Sequence, residues 1–251
     1  MPANLGWIRQ FHQPRSVECP PLLICPHAGS GASIYRAFSK VLSQHFEVLI
    51  FQYPGRQDRA REAALATLPE LAVGAFAEFL TSEHNRGLPL TVFGHSMGAM
   101  VAFELVRNAE AAGLEVRLLA PSAAVSPGRA VDLPPHPTED EQILDHLGAL
   151  EGTGVDVLGS REIMRMALPV VKADYRAFDA YTCPADVQVR ARIHVLGGAE
   201  DHFITPRELY GWSNHSAQDI EVTVFDGGHF YLNDNAAGIA ELLAPELDRV
   251  G

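Results

Sequence analysis

The sequence predicts an α/β fold: a mostly parallel central sheet with helices on both faces, interrupted by a helical insertion. Three observations predict it. Short apolar runs rich in branched side chains recur along the chain, at Leu22–Cys25, Phe46–Gln52, Leu90–Phe93, Val116–Ser122, Ala191–Gly198 and Ile220–Phe225, with lengths suited to buried strands. Helical patterns lie between them, and strand alternating with helix demands parallel pairing with helices packed on both faces. From about Gly128 to Pro184 that rhythm stops, and only helical patterns follow. The expected organisation is a single α/β core made of residues 1–127 and 185–251, with residues 128–184 inserted as a helical lid over the strand ends, where open parallel sheets bind ligands.

Taken in order, Trp7, Ile8 and Phe11 suggest a short edge strand. Leu22–Cys25 leads into Pro26-His27-Ala28-Gly29-Ser30-Gly31, a loop of small residues that opens a helix over about Ile34 to Ser43. Such a loop presents backbone N–H groups to an anion, but the lysine of a nucleotide-phosphate loop is missing after Gly31. The second strand ends at Tyr53-Pro54-Gly55-Arg56, and Leu71, Ala75, Phe76, Phe79 and Leu80 are spaced for one buried helix face. Gly113 is placed to end the helix that follows Ser96. In the insertion, Thr138 and Glu141 have capping-box spacing, and helical pieces are expected at Asp140 to Leu150, Arg161 to Leu168 and Val170 to Tyr181. The closing helix is expected from about Asn235 to Leu247.

With 47% hydrophobic residues in 251, the chain can fill a large core. A net charge of −12 argues against a nucleic-acid or anionic-membrane surface, which needs clustered Lys and Arg. Cys19, Cys25 and Cys183 are odd in number and lack metal-ligand spacing, so neither a disulfide framework nor a metal site is expected. The first residues carry no signal-peptide pattern and no apolar run reaches membrane-spanning length, so a cytoplasmic, monomeric protein is expected.

The chemistry centres on Gly94-His95-Ser96-Met97-Gly98, between a short apolar strand and a helix built of small residues. A G-x-S-x-G in that setting is a nucleophile elbow, a turn so tight that side chains two positions either side of the serine would clash. A serine hydroxyl is a poor nucleophile until a base takes its proton, and a histidine held by a carboxylate is the usual base. Ser96, Asp201 and His229 stand in the α/β-hydrolase order of nucleophile, acid and histidine, each after a strand. Glu200 and Asp226 are competing acids. Two backbone donors should meet the developing oxyanion: Met97 N–H, just after the nucleophile, and Ala28 N–H in the first loop.

Together, Pro26-His27-Ala28-Gly29, Gln52-Tyr53-Pro54-Gly55-Arg56, the elbow, Leu168-Pro169 with Asp174-Tyr175 and Tyr181, Gly197 to Asp201, and Gly227-Gly228-His229-Phe230-Tyr231-Leu232 resemble the type II thioesterases. These are stand-alone editing enzymes of polyketide and nonribosomal peptide synthases, and the resemblance runs in order along nearly the whole chain. It implies hydrolysis of acyl or aminoacyl thioesters from the phosphopantetheine arm of acyl or peptidyl carrier protein domains. The arm belongs to the partner, so no cofactor is implied. Docking an acidic carrier would need a local positive surface, for which Arg56, Arg59 and Arg61, or Arg161, Arg165, Lys172 and Arg176, are candidates beside the reading of solvated charge. An esterase or lipase, or an acyltransferase, would use the same triad.

Overall fold

The structure, a computed structural model, describes residues 6–151 and 157–244. Seven strands form one sheet: β1 (Ile8–Arg9), β2 (Pro21–Cys25), β3 (Glu47–Phe51), β4 (Leu90–His95), β5 (Val116–Ser122), β6 (Arg192–Gly198) and β7 (Glu221–Phe225). Their spatial order is β1-β3-β2-β4-β5-β6-β7, parallel throughout except for the antiparallel edge strand β1. Among the described residues seven α-helices accompany the strands: α1 (Arg36–Leu42), α2 (Leu68–Thr81), α3 (Met97–Ala111), α4 (Asp140–Glu151), α5 (Val157–Asp179), α6 (Pro206–Leu209) and α7 (Ala236–Leu243).

Strand periodicity divides the core between two faces. In β2 and β3, Leu23, Cys25, Leu49 and Phe51 face the layer that contains α2 and α3 residues, whereas Leu22, Ile24, Val48 and Ile50 face the layer that contains α1 and α7 residues. The chain runs from β2 outward to β3, then crosses back to β4 on the other side of β2. That reversal opens a crevice at the carboxyl ends of β2 and β4. The loop after β2 and the elbow after β4 therefore meet there.

Several local readings needed adjustment. The helix expected from Ile34 begins instead as a 3-10 turn over Ala32–Tyr35, with Ile34 N–H donating to Gly31 O at 3.3 Å and the Ala32 N–H held by Gln52 Oε1 at 2.6 Å. In the insertion, the two helices expected either side of Pro169 form one, α5. An interior proline costs about 3 kcal/mol. Burying Leu168, Val171 and Tyr175 against Ile143 and Leu144 of α4 returns on the order of 5 kcal/mol, so packing carries the helix through. The first turn of α4 closes from Glu139 O to Ile143 N–H at 2.9 Å, one residue beyond the expected Thr138 cap. Gly113, at φ +80°, does follow the end of α3. The expected extension of the last helix to Leu247 lies outside the described residues.

The tightest joint in the fold is backbone against backbone. A Cβ at Gly98 would overlap the carbonyls of Cys25 and Pro26, and one at Gly94 would overlap the Gly98 carbonyl. Gly98→Ala is expected to cost about 1–3 kcal/mol of stability, since rigid main chain must move to admit the methyl group. Urea unfolding of the variant measures this.

Candidate active site

Ser96 lies between the last residue of β4 and the first of α3, at φ 54° and ψ −124°. For a residue with a Cβ this backbone stores on the order of 1–3 kcal/mol and persists only where the surroundings enforce it. The enforcement is visible: Ser96 N–H donates to Ser122 O at 2.8 Å, Ala99 N–H donates to Ser96 O at 2.9 Å, Gly98 admits the close approach of β2, and Gly94 admits that of α3.

After β7 the chain turns through Gly227, at φ +118°, and Gly228 to bring in His229. Its Nδ1 lies 2.8 Å from Asp201 Oδ2, and both residues are buried. Asp201 is oriented in turn by Phe203 and Ile204, whose N–H groups donate to Oδ1 at 2.9 and 3.1 Å. A carboxylate so placed accepts, which fixes the proton of a neutral His229 on Nδ1 and leaves Nε2 as the basic nitrogen. That Nε2 is buried with no protein partner. Of the rival carboxylates, Glu200 accepts from Gly227 N–H, and it is Asp201 that pairs with His229.

On the other side of Ser96 is the loop after β2. His27 O accepts from Ser30 N–H at 3.3 Å and from Ser30 Oγ at 2.8 Å, and Gly29 takes φ +73°. Ala28 follows His27 in this turn, and Met97 is the first residue of α3, where leading N–H groups have no intrahelical acceptor.

Two further histidines, His95 and His27, surround this centre, which sequence reasoning did not single out. His95 stands 5.1 Å from the His229 ring and His27 stands 5.8 Å from His95, both against Phe230. His95 Nδ1 pairs with Ser122 Oγ at 2.9 Å, and Ser122 with Tyr231 OH at 2.7 Å. Burial and then the nearby His229 and His27 hold His95 well below the usual histidine range. Burial, His229 and Arg56 push His27 down to about 3. Tyr35 Oη accepts from the His27 main-chain N–H at 3.2 Å and pairs with His27 Nδ1 at 2.7 Å.

Ser96, His229, Ala28 and Met97 line one cavity of about 840 Å³. Its outer wall comes from the insertion, including His136, His146, Val171, Tyr175 and Phe178. Tyr175 stacks on His136 with ring centroids 4.0 Å apart. Ile34 and Met166 line the cavity yet remain 60% and 82% exposed, which marks its mouth. The volume is in the upper part of the range for small-molecule sites, about 300–1,000 Å³.

The family profile described as Thioesterase domain matches residues 20–247. The chain belongs to the thioesterase family. It is 38% identical over 248 residues to Phenyloxazoline synthase MbtB of Mycobacterium tuberculosis, covering 98% of this chain and 17% of that much longer protein. It is 35% identical to Thioesterase PikA5 of Streptomyces venezuelae, covering 91% of this chain and 80% of the relative. The solved structure of the type II thioesterase BorB from the borrelidin biosynthetic cluster superposes with a TM-score of 0.82 at 37% identity, covering 94% of this chain and 96% of that one. The sheet, helix placement and elbow are those of an α/β-hydrolase thioesterase.

Within this thioesterase frame only part of the basic set suggested by the sequence lies at the surface. Arg56 and Arg59 are buried, Arg56 against Asp174 and Arg59 against Glu62 and Gln52 O. Arg165 pairs with Glu141 and Lys172 with Asp140, whereas Arg61 and Arg176 are exposed. Arg161 lies outside the described side chains. Among the described residues no group of His, Cys, Asp and Glu has the arrangement of a metal site, and no helix is long and apolar enough to cross a membrane.

The depressed histidines make stability depend on pH. Below about 6.5 the unfolded chain takes up protons that folded His27 and His95 refuse, so stability falls as the pH falls. The slope is expected to reach about 1.4 kcal/mol per pH unit for each histidine that stays neutral. His95→Gln, which retains a polar partner for Ser122, should flatten this slope in urea titrations compared at pH about 7 and about 5.

Proposed function

We propose that this chain hydrolyses acyl and aminoacyl thioesters carried on the phosphopantetheine arm of carrier-protein domains. It thereby clears misloaded or stalled modules of a polyketide or nonribosomal peptide synthase. The observation that carries the reading is the buried His229, bonded through Nδ1 to Asp201 and left with a free Nε2 in the cavity that Ser96 lines. The names of the relatives, PikA5 and BorB among them, support thioester chemistry and a synthase setting.

In this mechanism His229 Nε2 takes the Ser96 hydroxyl proton as Oγ attacks the thioester carbonyl. The charge that develops on the carbonyl oxygen is met by Ala28 and Met97 N–H groups, fixed before the substrate arrives. The tetrahedral intermediate collapses, the carbon–sulfur bond breaks, and His229 returns the proton to the leaving thiol. Water, deprotonated by His229, then attacks acyl-Ser96; the acyl–Oγ bond breaks, His229 returns the proton to Ser96 Oγ, and the free acid departs. Asp201 stays ionised and stabilises the imidazolium. Neutral His27 and His95 add no competing positive charge beside it.

Residues 128–184 act as the lid of the α/β core, enclosing the acyl chain above Ser96. The arm is brought by the partner, and the protein works as a cytoplasmic monomer.

Ser96→Ala is expected to fold normally and to lose about 10⁴- to 10⁶-fold in kcat, because removing the nucleophile leaves only binding and oxyanion stabilisation. Steady-state thioester hydrolysis measures the loss, and a variant that keeps its activity overturns the assignment. On acylated carrier proteins, intact-mass analysis should show release of free acid far faster than the wild-type protein cleaves the matching free ester. Equal rates would point to a general esterase, and transfer of the acyl group to an alcohol or amine would point to a transferase.

A further inference from the structure

The loop that carries Ala28 is anchored from an unexpected direction. Gly29 N–H donates at 2.7 Å to Oδ2 of Asp174, which lies 145 residues later on α5 of the insertion. Both oxygens of Asp174 also meet Arg56 Nη2, and this ion pair is only 2% exposed on each side. Arg56 is itself held: Nη1 donates to Pro54 O at 2.8 Å, and its own carbonyl accepts from Gln52 Nε2 at 2.9 Å. The same Gln52 fixes the far end of the loop at Ala32. Above the loop, Ala28 packs on the Ile143, Leu144, Leu168, Val171 and Tyr175 cluster, and a Cβ at Gly29 would overlap Val171.

We propose that Asp174, held by Arg56, is a positioning residue for the oxyanion-binding loop, so that the seating of α5 sets the direction of the Ala28 N–H. The inference rests on the oxyanion role given to Ala28 above. The geometry explains how the coupling works. In a trans peptide the carbonyl and the following N–H point in opposite directions, so Ser30, by holding His27 O, orients the plane that contains Ala28 N–H. Asp174, by holding Gly29 N–H, orients the next plane. Ala28 is thus pinned on both sides, once from within the loop and once from the insertion. A bare carboxylate here would repel an oxyanion, and the Arg56 guanidinium offsets it. Arg56 and Asp174 therefore direct the loop with little net charge.

Removing one partner alone would strand a buried charge, so the pair is changed together. Arg56→Met with Asp174→Leu removes both charges and the Gly29 acceptor, whereas Arg56→Gln with Asp174→Asn keeps a neutral acceptor. The substrate is the acetyl thioester of N-acetylcysteamine, too short to depend on the outer cavity, and folding is checked by thermal melting. The Met/Leu pair is expected to lose about 10- to 100-fold in kcat with KM within about twofold. Its affinity for a trifluoromethyl ketone analogue, which forms an oxyanion on Ser96, should fall in parallel, and the Gln/Asn pair should recover most of both. Should the Met/Leu pair not fold, Asp174→Glu keeps the charges and displaces the acceptor, and about a tenfold loss in kcat is expected. Unchanged kcat in a folded displacing variant, a loss confined to KM, or no recovery in the Gln/Asn pair overturns the inference. Activity surviving in Ser96→Ala would instead overturn the hydrolytic mechanism itself, which keeps the two failures distinct.

Discussion

The contact between Gly98 and the carbonyls at the end of β2 governs the site more than any side chain does. It lets the amino end of α3 press against the strand that leads to Ala28, bringing two segments with available N–H groups to one crevice. It also closes the turn in which Ser96 is held at an unfavourable backbone angle. The strain is small beside the packing that imposes it: β4 is wholly buried, and all but a few α3 side chains are buried behind it. The proposed nucleophile, fixed by the main chain, would lose little orientational freedom when substrate arrives.

Around that fixed point, three histidines receive different assignments from their surroundings. His229 alone has a carboxylate on Nδ1, so an imidazolium there is met by an opposite charge. His95 has a hydroxyl and His27 a phenol, and each is kept neutral by burial and by its neighbours. One cluster therefore contains one proposed base and two polar but uncharged walls.

Much of this was readable in the residues. The short apolar runs at Leu22–Cys25 and Phe46–Gln52 are a local property, and so is the pairing of Gly94 with Gly98 around a serine; each required only the neighbouring chain. Asp201 and His229 were findable because strand ends in a parallel sheet converge on one edge. The Arg56–Asp174 pair was not findable in that way, since its members are 118 residues apart and a charged pair leaves no periodicity. Read alone, Arg56 suggested a surface cation, but tertiary packing buried it. Pro169 misled for the opposite reason: a local breaker was outweighed by apolar contacts with α4 that lie beyond its own segment.

The cavity has two origins. The end lined by Ser96 and His229 is built by the segments that follow β-strands, whereas much of its outer wall comes from helices inserted between β5 and β6 that contribute no strand to the sheet. Mutational drift at positions that only line the wall can reshape the volume offered to an acyl group without disturbing strand register or the elbow, whereas Asp174 on α5 ties the same helices to the loop that carries Ala28. Within one family, substrate range and reaction chemistry can therefore evolve at different rates, and Gly29, where wall and loop touch, marks the boundary between the two.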